Sequence, residues 1–147
     1  MDSPRLMFLD GKAPDIATHT KRYSLTPHTV EAIGEIKCQG DCFTRTHQGQ
    51  ILQYIIIMLN HQKNREQVTG FLTDCHHIEF IRVTRGTDDW PYNVLYSDRM
   101  SLSDQDTTRY LRALLSEIQF HPMTGILRAD DPAILEYGPN ICNCIIL

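Results

Sequence analysis

A carboxylate pair, one lysine and two neutral hydrogen-bonding side chains are the parts needed to hold Mg²⁺ against a phosphodiester. The chain carries them in three short strings: Pro14-Asp15, then Glu35-Ile36-Lys37, then Gln50 with Tyr54 four residues later. On a strand alternate side chains share one face, so Glu35 and Lys37 are expected to project side by side while Ile36 points into the core. One helical turn separates Gln50 from Tyr54, which puts both on one face of a helix. Each string alone has a plainer reading: an ordinary strand ion pair, a turn aspartate after proline, a half-buried helical pair.

The elements that must position these groups follow from patterning. Residues 5–9 form a short apolar segment, read as a strand and stopped by the turn pair Asp10-Gly11, with residues 15–18 pairing back against it. Residues 29–37 alternate, Val30, Ala32, Gly34 and Ile36 on one side and Glu31, Ile33, Glu35 and Lys37 on the other. A loop around Gly40-Asp41 leads to a helix over 46–62, with Thr46 as its N-cap. Its middle is apolar almost all the way round, so it is expected to pack on more than one side. Strands at 67–73 and 78–83 follow, joined by Asp74-Cys75-His76-His77, then a strand at 92–96. Ser103 is expected to cap a second helix to 119, with Tyr110, Leu111, Leu114, Leu115 and Ile118 at helical spacing. The expected class is α/β, a mixed central sheet flanked by the two helices.

At 147 residues the chain is long enough to bury a core without staples. Its 41% hydrophobic and 22% charged residues are ordinary for a soluble globular protein, and an intracellular location is expected. Five cysteines, an odd number without dense spacing, are expected as reduced thiols. A net charge of -4 argues against a general nucleic-acid coat protein, whose affinity comes from neutralising phosphates. The acidic excess lies mostly after residue 100, however, leaving Arg45, Lys63 and Arg65 among the groups available for a local basic surface.

The order of a strand bearing Asp, a strand bearing Glu-x-Lys, a helix bearing QxxxY and further strands resembles the PD-(D/E)XK nuclease superfamily, over about residues 5–83. A closer likeness lies in Gln50-Ile51-Leu52-Gln53-Tyr54, Asn64-Arg65, Gly70-Phe71-Leu72-Thr73-Asp74 and Ile78-Glu79-Phe80-Ile81-Arg82. Together these resemble the nuclease-like region that precedes the kinase domain in crinkler effectors and related fungal-type kinases. The resemblance implies a restriction-endonuclease-like sheet and hydrolysis of phosphodiesters, with DNA as the partner. It makes Asp15 and Glu35 the ligands of Mg²⁺ or Mn²⁺, hard cations suited to carboxylate oxygens. Lys37 would stabilise developing charge or orient the attacking water, and Gln50 and Tyr54 would fix the backbone or the water near the metal. Arg45, Lys63 and Arg65 would position phosphates without reading bases. In many members a further acid lies on a helix before the first strand, but only fourteen residues precede Asp15 here.

On this reading residues 1–121 form the nuclease-like domain and 122–147 an extended tail, with the start of a following domain, such as a kinase domain in the same parent chain, as the alternative. Two rival functions stay open. One is a catalytically inactive nuclease-like module that binds nucleic acid or supports a kinase domain, nuclear if the crinkler likeness holds. The other is a prenylated membrane-surface adaptor, because Cys144-Ile145-Ile146-Leu147 satisfies the C-a-a-X rule, although no polybasic stretch precedes it to strengthen membrane binding. Pairing into a homodimer is also left open. Zinc is not expected: Cys38 and Cys42 with His47, or Cys75-His76-His77, match no closed four-ligand spacing.

Overall fold

A computed structural model describes residues 7–19, 23–37, 42–117 and 144–146. The elements in chain order are β1 (Ile16–His19), β2 (Val30–Ile36), α1 (Arg45–His61), β3 (Gln67–Thr73), β4 (His77–Arg85), β5 (Tyr92–Tyr96), β6 (Met100–Ser101), α2 (Gln105–Glu117) and β7 (Cys144–Ile146). The strands form one mixed sheet in the order β5-β4-β3-β2-β1-β7, with β6 also paired to β4. Among the described strands only β2 and β3 pair in parallel. A parallel neighbour requires a crossover, and α1 supplies it.

The two helices take opposite faces. Ile33, Leu72, Ile81 and Val83 pack with α1, whose buried residues Ile51, Tyr54, Ile55, Met58 and Leu59 recur at helical spacing. The expectation of packing on several sides gives way to this single stripe, with Leu52 and Ile57 only partly buried beside it. On the other face Phe71, Ile78 and Phe80 meet Leu114, Tyr110 and Leu111 of α2. Thr44, not Thr46, is the N-cap of α1, its hydroxyl accepting the His47 N–H at 3.3 Å. Either threonine could cap by type, and the one with extended backbone does so.

Asp10 and Gly11 both have positive φ, 49° and 81°, and Leu9 and Lys12 exchange backbone hydrogen bonds of 3.1 and 2.9 Å across them. This tight reversal returns the chain only as far as Lys12. β1 therefore lies against β2 rather than against residues 5–9, of which 5 and 6 fall outside the described residues. The β3–β4 turn is closed by Asp74, whose carboxylate accepts the N–H groups of His77 and His76. Those bonds, the His77 one foremost, hold its carboxyl at about 2. Residues 144–146, at the end of the expected tail, extend the sheet beyond β1, with Ile16 opposite Ile146.

The far end of α1 is fastened by two arginines. Arg85 donates to the carbonyls of Leu59, Gln62 and Arg65. Arg65 donates to the carbonyls of Val30, Glu31 and Gln67 and to the Gln62 side chain. These donors satisfy carbonyls that a helix end and a strand end leave open, where the helix dipole also favours positive charge.

Candidate active site

The β1–β2 register, with Ile16 opposite Gly34, brings Asp15 level with Glu35. The two are interlocked. The Asp15 N–H donates to Glu35 Oε2 at 3.2 Å, and the Ile36 N–H donates to Asp15 Oδ2 at 3.0 Å. Glu35 Oε1 accepts from Lys37 Nζ at 2.7 Å and from Gln50 Nε2 at 2.8 Å. Gln50 Nε2 also lies 2.7 Å from the Tyr54 hydroxyl. All five residues singled out in the sequence thus meet in one cluster.

Its burial differs from the alternating pattern expected. Glu35 is only 2% exposed, whereas Ile36 is half-buried. The cause is the crossover: α1 covers the face that carries Ile33 and Glu35, and a strand covered on both faces has no solvent side. Lys37, at 24% exposure, lies where the strand runs out from under the helix. Burial raises the Tyr54 phenol above its ordinary value; the Gln50 bond opposes this, and the Glu35 carboxylate adds to it. An acid whose folded value is raised adds stability that is complete below pH 10 and lost as pH rises through the folded value. In an ultraviolet titration, the phenolate signal missing from Tyr54→Phe is therefore expected to arise above pH 10, later than that of exposed tyrosines. A Tyr54 transition at or below pH 10 would contradict the burial described here.

The cluster supplies two carboxylates against one ammonium, an oxygen-donor set. Among the described residues no three His, Cys, Asp or Glu side chains gather as a metal site. Mg²⁺ does not require three, because it is commonly held by one or two carboxylates with waters and substrate phosphate completing the octahedron. Asp15 and Glu35 fit that requirement.

A second pair escaped the sequence reading. Gln48 Nε2 donates to Glu79 Oε1 at 2.6 Å, and Glu79 is 7% exposed. Glu35 pairs with Leu72 and Leu72 with Glu79, so both glutamates lie in one row across the sheet beneath α1. The available signal was an acid within the apolar run Ile78-Glu79-Phe80-Ile81. Gln48 and Gln50 thus fasten the N-terminal part of α1 to the sheet at two points.

The basic residues are not brought together. Arg45 opens α1, exposed and at the same end as Gln50. Lys63 is exposed beyond the other end, roughly 20 Å from Gln50 at 1.5 Å per residue. Arg65 is turned inward onto backbone carbonyls, and burial lowers its guanidinium to about 10. Cys42 is buried and Cys75 exposed, and neither is in a disulfide. The His47 ring nitrogen Nδ1 lies 2.6 Å from the Cys42 carbonyl oxygen. Cys38 and the side chain of Cys144 lie outside the described residues.

Residues 1–65, which contain the whole Asp15–Glu35–Lys37–Gln50–Tyr54 cluster, are similar to a family described as a domain of unknown function, DUF6826. No curated protein and no solved structure matches the chain. Among the described residues no helix is long and apolar enough to cross a membrane.

Proposed function

We propose that the chain is a Mg²⁺-dependent nuclease module of the PD-(D/E)XK type, hydrolysing phosphodiesters in DNA. The observation that carries this reading is the interlocked Asp15–Glu35 pair with Lys37 on the same carboxylate. Asp15 and Glu35 would hold the ion, which when bound supplies Lewis-acid polarisation of the phosphate and a more acidic water. Lys37 is the group placed to meet negative charge developing on the phosphate, and its partial exposure lets it turn from Glu35 to a ligand. Gln50, backed by Tyr54, orients the Glu35 carboxylate. Arg45 at the near end of α1 is placed to hold a neighbouring phosphate. Action on DNA in a nucleated cell would place the protein in the nucleus.

A second reading has its own support. Protein donors already engage both Glu35 oxygens, which suits an inactive module that binds nucleic acid or supports a kinase domain. Supercoiled plasmid incubated with the chain separates the two. Nicking is expected with Mg²⁺ or Mn²⁺, none with a chelator, and roughly 100-fold less with Lys37→Ala, the scale of losing one charge-stabilising group. If the wild type nicks nothing with either ion yet binds DNA in a salt-dependent way, the inactive module takes its place.

A further inference from the structure

β5 is an outer strand of the sheet, and it meets solvent with apolar side chains on both faces. Val94 is 37% exposed, Leu95 52% and Tyr96 45%, with Trp90 at 75% just before them. Val94 lies opposite Val83 on the α1 side, and Leu95 lies opposite Arg82 on the other. The regular pairing with β4 also fixes where the backbone points. Gly86 N–H donates to the Pro91 carbonyl and Ser97 N–H to the Phe80 carbonyl, both at 2.9 Å, so the odd-numbered residues bond toward β4. Antiparallel alternation then turns the N–H and C=O groups of Tyr92, Val94 and Tyr96 outward. β6 pairs with His77 and Ile78 of β4, and among the described residues no strand pairs with β5 along this edge. Exposed edges are commonly blunted with lysine, proline or a bulge, and β5 contains none of them.

We infer that two copies of this chain pair through β5, antiparallel about a two-fold axis at Val94. The strand is self-complementary in that register: Tyr92 faces the second copy's Tyr96, and Val94 faces the second copy's Val94. Each of these is a position whose N–H and C=O point outward, so all three pairs form hydrogen-bonded pairs. A slip of one residue sets outward-pointing groups against inward-pointing ones and loses them. The two-fold closes the assembly at two copies. The four exposed apolar side chains offer roughly 400 Å² per copy, about half of a standard interface, so the expected dissociation constant is micromolar or weaker. This inference is independent of the nuclease reading.

Sedimentation velocity of the full chain over about 10–500 µM tests it. The weight-average mass of the wild type is expected to rise from that of one chain to twice that value. Amide exchange at Tyr92, Val94 and Tyr96 is expected to slow over the same range. Val94→Pro removes an outward N–H and no bond to β4, and Leu95→Lys adds charge at the interface; both are expected to remain single chains with unchanged circular dichroism. A wild type that stays at one chain throughout would overturn the inference. So would a folded variant that dimerises as the wild type does, or growth beyond two copies. If Val94→Pro does not fold, Leu95→Lys decides.

Discussion

Glu35→Gln is expected to lower Mg²⁺-dependent nicking at least 100-fold and to abolish Mn²⁺ binding at the cluster. The substitution keeps the shape of the side chain but removes the charge that a divalent ion needs. It also sets an amide NH₂ or a weaker oxygen against two donors, Lys37 Nζ and Gln50 Nε2. Glu35→Ala goes further, leaving those donors and the Asp15 N–H without their acceptor at a site 2% exposed. A cost of about 2–4 kcal/mol follows, discounted because Lys37 can turn toward water. Plasmid cleavage, Mn²⁺ titration and urea denaturation of both variants check this. Cleavage by Glu35→Gln at the wild-type rate would remove Glu35 from the chemistry.

Gly34→Ala is expected to destabilise the fold through a single methyl group. Gly34 faces Phe71 across the parallel β2–β3 pair, and an added Cβ would lie inside the van der Waals envelope of that ring. Phe71 is 3% exposed and held among Ile78, Phe80 and Leu114, so the ring has little room to retreat. Overpacking of this kind costs about 1–3 kcal/mol. Phe71→Leu in the Gly34→Ala background is expected to recover part of the loss, giving a non-additive double-mutant cycle in urea denaturation. A Gly34→Ala protein within about 0.5 kcal/mol of wild type would show that the ring moves aside.

Much of this arrangement was legible in the residues. β-Branched and aromatic runs marked β3 and β5 with the bounds observed, and Asp10-Gly11 marked its turn, because those signals are local. Glu-x-Lys on a strand and Gln50 with Tyr54 on the next helix gave the meeting of those side chains, since a crossover helix must lie over the strand it leaves. Burial was less legible. Alternation along residues 29–37 suggested one open face, and only the parallel pairing of β2 with β3 shows why α1 closes it. Arg65 looked like a surface cation because composition does not reveal that open carbonyls at Val30 and Glu31 lie within its reach. Glu79 was passed over for a related reason: its partner Gln48 lies thirty-one residues away, and no local pattern joins them.

The arginine clasp at the far end of α1 bears on how a ligand gains entry. With Leu59 and Gln62 tied to Arg85 at one end, and Gln48 and Gln50 tied to the sheet at the other, the helix is fastened over the sheet at both ends. A ligand for Glu35 would therefore approach where β1 begins and β2 ends, beside the Asp15 and Lys37 side chains.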